Sequence, residues 1–305
     1  KNLADMTLQL LTIIFVDGLN YAATLFLISI GLTIVYGVLR ILNISHGGIY
    51  AFGAYLATWL ALQLLEAGLP PYLSYLMLLA GGIIIGLLTG PIIERLFLRR
   101  IYGRDMHIQL LLTYSILLIL DDLMKLIFGM EPLIVSEPYT LLGQFSVAGI
   151  SYSRYQFFLI AISVLFGGCL IWLVRGTRFG KLVVAVINDR EVSLAMGINV
   201  NLIFTFAFTL GALAAALGGA FIAPTIAVVP GFALEVVVLS FAVIAIGGMG
   251  SLEGAALGAL IVGLSRAAAI HLYPEIELVI IYLIMVVVLA IRPEGIFGEE
   301  ELRRI

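Results

Sequence analysis

Long apolar stretches broken by short polar ones set the rhythm of this chain. A helix that crosses a bilayer needs about 20 mostly apolar residues. Nine stretches meet or approach that length, near Tyr21–Leu39, Gly47–Leu65, Tyr72–Ile93, His107–Phe128, Tyr155–Val174, Leu202–Ile222, Gly231–Met249, Gly254–Ile270 and Glu277–Ile291. The pattern predicts an all-α polytopic membrane protein with about 8–10 transmembrane helices. Residues Thr7–Val16 are too few to cross alone. They are expected either as an interfacial helix ahead of Asp17 and Gly18 or as an extension of the first span. The glycine-rich run "AIGGMGSLEGAALGAL" leaves a partly re-entrant course open for residues 231–270.

Composition agrees. Of 305 residues, 62% are hydrophobic and 11% charged, and the mean hydropathy is +1.17. Soluble domains carry about 25% charged residues. Glycine, at 32 residues, suits helices packed closely in lipid. The single Cys169 allows no disulfide framework or zinc site, and His46, His107 and His271 are too scattered for a metal site. From Lys1 onward no signal-peptide pattern is read.

The loops set an orientation. With the N-terminus outside and spans alternating, Arg40, Arg95, Arg99, Arg100, Arg104, Arg175, Arg178, Lys181, Arg190, Arg292, Arg303 and Arg304 fall on one side. Lys1, Lys125, Arg154 and Arg266 fall elsewhere. The positive-inside rule makes the first side the cytoplasm and puts the C-terminus there. The chain then reads as a single permease-like domain, 1–305, with an interfacial segment at 1–20 and cytoplasmic loops at 94–106 and 175–201. The external loop, 129–154, alternates apolar and polar residues, predicts a short hairpin, and is too short to be a receptor domain.

One cytoplasmic stretch, "RFGKLVVAVINDREVSLAMGINVN" (Arg178–Asn201), reads as two short helices. Lys181, Ala185 and Asn188 share one face, and Leu182, Val183, Val186 and Ile187 another. Asn188 is the expected cap of the second helix, with Glu191 completing a capping box. Gly197 is a left-handed stop after Met196. Asp189 and Arg190 face away from Val192, Ala195 and Met196, which predicts an amphipathic helix with a polar face offered to something soluble. Its charges either only fix topology or form a docking surface that transmits force. No P-loop or other nucleotide-binding pattern occurs, so any engine is a separate subunit.

"GLTIVYGVLRILNISHGGIYAFGAYLA", the Arg178–Asn201 stretch, "IGGMGSLEGAALGALIVG" and "IRPEGIFG" resemble, in order and spacing, the permease subunits of branched-chain amino acid ABC importers. The match is closer to the shorter of the two paralogous permeases, and urea and amide importer permeases are relatives. The resemblance implies a heterodimeric membrane core with the paralogous permease. It also implies two cytoplasmic ATPases and an extracytoplasmic substrate-binding protein, in the cytoplasmic (inner) membrane of a prokaryote. The chain would bind no cofactor and have no catalytic site, ATP being used by the partners. Nucleic acid is not an expected partner. Arg178, Lys181, Asn188, Asp189, Arg190, Glu191 and Gly197 would form the ATPase-coupling segment, with Asn188–Gly197 inserted into the partner. The substrate implied is a branched-chain or hydrophobic amino acid, with urea or a short amide as the alternative. ATP-driven closure of the partners would push on the inserted helix and open a mostly apolar path by alternating access.

Residues of the pathway itself are less sharply marked. In "LRILNISHGG", Asn43, His46, Gly47 and Gly48 read as a broken-helix element beside the path, or as a tight cytoplasmic turn capped by Asn43. Gly47, Gly48 and Gly53, like Gly254, Gly258 and Gly263, recur at helical spacing and read first as close packing. Arg266 sits toward the outer end of its span and is the candidate for a substrate carboxylate or a partner contact. Asp121, Asp122 and Lys125 read as a structural cluster near interfacial water, and Glu235 is ambiguous. An ion-coupled secondary transporter would place carboxylates mid-span, a channel a polar filter. The middles of these spans hold almost none.

Overall fold

In lipid every backbone polar group needs an internal partner, so apolar segments of this length form helices. The computed structural model describes residues 3–147 and 150–298; Lys1, Arg303 and Arg304 lie outside the described residues. The order is α1 (Leu3–Leu39), α2 (Ser45–Glu66), α3 (Ser74–Leu96), α4 (Met106–Phe128), α5 (Glu137–Leu141), β1 (Gln144–Val147), β2 (Ile150–Ser153), α6 (Arg154–Gly176), α7 (Arg178–Asn188), α8 (Arg190–Ala195), α9 (Val200–Ile222), α10 (Phe232–Gly247), α11 (Leu252–Leu272) and α12 (Glu277–Ile291).

Each of the nine predicted apolar stretches coincides with a helix. Among the described residues, six helical segments are long and apolar enough to cross a membrane: Thr7–Leu39, Ser45–Glu66, Pro71–Arg100, Arg154–Gly176, Val200–Thr225 and Leu252–Leu272. Phe232–Gly247 and Val279–Ile291 are apolar but shorter. α4 matches α3 in length at 23 residues and carries Asp121, Asp122 and Lys125 in its last two turns. The chain is an all-α polytopic membrane protein. Its one described sheet is the hairpin foreseen in the 129–154 loop, antiparallel with Phe145 opposite Tyr152.

The segment before Asp17 is neither separate nor broken. α1 runs unbroken for 37 residues, about 56 Å at 1.5 Å per residue, well beyond a ~30 Å hydrocarbon core. Asp17 and Gly18 do not end it, because Gly18 lies against α11: an added Cβ there would sit 2.8 Å from Leu264.

α9 is the axle of the bundle, enclosed by α1, α2 and α3. Its closest neighbour is α3, through a feature absent from the motifs singled out above. Gly82, Gly86 and Gly90 of α3 meet Leu217, Leu213 and Thr209 of α9, rung by rung in opposite directions. A Cβ on Gly86 would lie 2.5 Å from the Leu213 Cα, so only glycine permits this backbone approach. Outward faces instead expose Leu87 and Leu88 of α3, Val164 and Leu165 of α6 and Val286 of α12, as lipid contact requires.

The glycine-rich 231–270 region and the terminal "IRPEGIFG" form one unit. The 16 residues of α10 span only about 24 Å, and the chain after α12 returns to cap its end. Ile296 and Phe297 donate their N–H groups to Ile246 and Gly247 carbonyls at 3.0 and 2.8 Å. At Gly248 (φ 110°) an added Cβ would sit 2.4 Å from the Gly298 nitrogen.

Candidate functional site

The Arg178–Asn201 segment contains two short helices, each capped by a side chain at its start. Thr177 opens α7, its Oγ1 accepting from Gly180 N at 3.2 Å. Val183 and Val186 are buried against the bundle while Lys181, Leu182 and Val184 are exposed. The expected Asn188 cap is displaced by one residue. The α7 ladder continues through Asn188, with Asp189 N donating to Ala185 O at 3.0 Å. Asp189 is extended and caps α8, Oδ1 accepting from Glu191 N and Val192 N, both at 3.0 Å. A carboxylate in β geometry is a better cap than an amide still bound into a helix. Glu191 therefore stands one position too early to form a capping box.

At the other end of α8, Gly197 (φ 80°) takes the left-handed position. Its N–H reaches Leu194 O and that of Ile198 reaches Ser193 O, both at 3.0 Å, the paired bonds of a Schellman stop. α8 exposes Val192, Leu194 and Met196, the last at 77%. The face it offers is thus mainly apolar, edged by Glu191 and Arg190, where a polar one was expected. Replacing Asp189 with alanine should destabilise α8 by about 1 kcal/mol. Hydrogen exchange is expected to speed up at residues 190–196 while α9 amides stay protected.

The module is clamped to the bundle. Phe179 packs on Phe206 with ring centroids 4.5 Å apart. The Arg190 guanidinium lies 5.7 Å from the Phe204 ring. Asn199 caps α9, accepting from Leu202 N at 3.1 Å. A cavity of about 160 Å³ under the module is lined by Arg40, Tyr102, Gln109, Val186, Arg190 and Phe204. Arg175 pairs with Glu253 at the start of α11. The basic loops after α1, α3 and α6 therefore converge on one end of the bundle. Burial and the neighbouring Glu94 carboxylate push the Tyr102 phenol well above its ordinary range.

The pathway candidates divide into two groups. Asn43, His46, Gly47 and Gly48 are buried at the α1–α2 junction. Asn43 does not cap α2; its Oδ1 accepts from Ser45 Oγ at 2.5 Å. His46 Nε2 lies 2.8 Å from the Ile28 carbonyl, which can only accept, so this nitrogen carries the proton. Gly47 fits against the Ala233 carbonyl and Gly48 against Leu120. Arg266 lies apart from them, over Tyr21 of α1, whereas His46 meets the same helix at Ile28. The Arg266 Nε donates to Glu277 Oε1 at 2.6 Å, and its guanidinium covers the Tyr21 ring at 3.9 Å. It lines a cavity of about 270 Å³ with Asp17, Asn20, Gln156 and His271.

Lys125 bridges Asp121 and Asp122 at 2.7 and 3.0 Å, and Asp121 also accepts from Gly231 N at 3.0 Å. That cluster staples α4 to the start of α10. Glu235 is exposed. The buried carboxylate of greatest consequence, Glu94, was not among the candidates; a lone acid beside the arginine cluster after α3 was the signal for it.

An all-helical bundle of membrane-crossing length, with a capped two-helix platform at its basic end, defines a multi-pass membrane protein of the permease type. The sequence profile described as "Branched-chain amino acid transport system / permease component" matches residues 14–289, and the chain belongs to that family. It is 30% identical over 301 residues to the high-affinity branched-chain amino acid transport system permease protein BraD of Pseudomonas aeruginosa, covering 95% of this chain and 96% of that one. It is 27% identical over 299 residues to the corresponding protein LivH of Escherichia coli, with 95% and 96% covered. Against a probable branched-chain amino acid transport permease protein LivH of Methanocaldococcus jannaschii the figures are 26% over 295 residues, with 91% and 90% covered.

Proposed function

We propose that this chain is the transmembrane subunit of an ATP-driven importer that passes branched-chain, hydrophobic amino acids inward. The observation that carries this is the family match over residues 14–289. The doubly capped α7–α8 module is what such a subunit would present to an engine. The chain works beside a paralogous permease, two cytoplasmic ATPases that consume the ATP, and an extracytoplasmic binding protein. It binds no cofactor and performs no catalysis itself.

In this reading the N-terminus is outside, the C-terminus is cytoplasmic, and the 94–106 and 175–201 loops face the ATPases. The convergence of basic loops at one end supports that orientation. Arg178, Lys181 and Glu191 rim the docking surface; Val192, Leu194 and Met196 fill a groove in the partner. Asn188, Asp189, Arg190 and Gly197 hold the platform in shape. ATP-driven closure of the partners pushes α8, tilts the bundle and alternates access to an apolar path. Arg266 and its cavity belong to the outer part of that path, and Asn43–Gly48 form a packed helix junction beside it.

Affinity purification from the native membrane, followed by uptake of labelled leucine in proteoliposomes with the co-purified subunits, tests the reading. An ATPase and a second permease are expected, with leucine, isoleucine and valine competing for uptake. A lone chain without ATPase would overturn it. Uptake of urea or acetamide in place of leucine would reassign the substrate class.

A further inference from the structure

Glu94, in the last turn of α3, is completely buried, at 0% exposure. A carboxylate there is tolerable only if charge and lone pairs are both satisfied, and they are. Arg99 donates from Nη2 to Oε2 at 2.9 Å and from Nε to Oε1 at 3.3 Å. The Tyr102 hydroxyl donates to Oε1 at 2.9 Å. The Thr205 hydroxyl, from the first turns of α9, donates to Oε2 at 2.6 Å.

Two features give the cluster meaning beyond stability. Glu94 is the fourth rung of the glycine ladder: 82, 86, 90 and 94 on α3 meet 217, 213, 209 and 205 on α9. The three glycine rungs are smooth van der Waals contacts, non-directional and tolerant of small slides. The fourth is a short charge-assisted hydrogen bond, which is directional and strong. Pro91 lies one turn earlier and removes a backbone rung of α3 there. In addition, the same two partners carry the base of α8. Tyr102 stands nearly perpendicular to Phe204 with centroids 5.1 Å apart, and Phe204, adjacent to Thr205, carries Arg190 over its face.

We propose that the Glu94–Arg99–Tyr102–Thr205 cluster is the latch that makes the inner ends of α3 and α9 move as one body with α8, while the glycine track lets the rest of the pair slide. Glu94 is thereby a positioning residue for coupling. This rests on the reading of α8 as the ATPase contact, and the test separates the two.

The test uses the complete importer in proteoliposomes: both permeases, the ATPases and the binding protein with leucine. Glu94→Gln keeps shape but removes the charge, and Tyr102→Phe deletes a single donor. Hydrogen bonds to a charged group are strong enough that losing the charge should cut binding-protein-stimulated ATP hydrolysis and leucine uptake by about tenfold in Glu94→Gln. Tyr102→Phe should lose roughly threefold. Basal hydrolysis without binding protein is expected to stay at the wild-type level in both. Adding Arg190→Ala to Glu94→Gln should cost little more than either alone, as residues acting through one element are non-additive.

Full stimulation in Glu94→Gln and Tyr102→Phe with Arg190→Ala impaired would overturn the latch and leave the coupling surface standing. Wild-type behaviour in all three would take down the coupling reading as well. A parallel fall of basal and stimulated hydrolysis would reduce Glu94 to a structural group and also overturn the proposal. If Glu94→Gln fails to assemble, Tyr102→Phe decides alone, unimpaired stimulation being the negative result.

Discussion

Replacing Gly86 with leucine is expected to abolish recovery of folded permease. The added Cβ alone would sit 2.5 Å from the Leu213 Cα and 3.0 Å from its side chain. The first of these is backbone in the middle of a helix enclosed by α1, α2 and α3, so no rotamer change relieves it. α3 and α9 would have to part along their whole ladder, losing the contacts at Gly82 and Gly90 as well. Overpacking by a few methylenes costs about 1–3 kcal/mol where side chains can adjust; here the cost falls on backbone and exceeds that range. Gly168→Leu is the matched control, because an added Cβ at Gly168 meets nothing within 4 Å and the position is exposed on α6. Size-exclusion profiles of fluorescently tagged variants in mild detergent read the outcome. A monodisperse Gly86→Leu peak of wild-type height would mean the two helices do not approach as described.

The double replacement Arg190→Ala, Glu191→Ala is expected to leave the permease folded and the binding protein able to dock, while leucine uptake drops to background. Neither residue helps close the core. Both side chains are exposed, and α8 keeps its Asp189 cap and its Gly197 stop. What is lost is the guanidinium over Phe204, an attraction of about 0.5–2 kcal/mol, together with the carboxylate at the rim of the docking face. α8 would then be pushed without carrying α9 along, so basal ATP hydrolysis would continue without binding-protein stimulation and without transport. ATPase co-purification and uptake measured on the same preparation make the comparison. Wild-type uptake in the double variant would remove Arg178–Asn201 from the coupling mechanism and leave it a capped connecting loop.

The unbroken course of α1 bears on assembly. Leu8, Leu11 and Phe15 are each more than half exposed, beyond the point where His271, near the end of α11, pairs with Asp17 at 2.8 Å. Lipid is the environment these side chains require, which fits a helix whose apolar length exceeds one bilayer crossing and takes up the excess by tilting.

Local rules written along the chain determined a great deal. The apolar stretches became helices because lipid leaves the backbone no alternative. Gly197 became a helix stop because only glycine adopts φ near 80° without strain. The alternation in 129–154 became a hairpin, and four separate stretches carried the family resemblance. Tertiary structure decided what depends on a partner distant in sequence. Asp189 displaced Asn188 as a cap because the exact end of α7 is set by packing of Val183 and Val186. Gly82, Gly86 and Gly90 gained their meaning only from Leu217, Leu213 and Thr209 on the other side. "IGGMGSLEG" and "IRPEGIFG", some 45 residues apart, proved to be two halves of one joint. Arg266 found Glu277 and Tyr21. Glu94, an isolated acid in the sequence, is a buried hub only because α9 brings Thr205 to it at 2.6 Å. Helix formation is a property of each segment and its solvent; which faces meet, and which charges are thereby sheltered, is settled by packing between segments, which no single stretch contains.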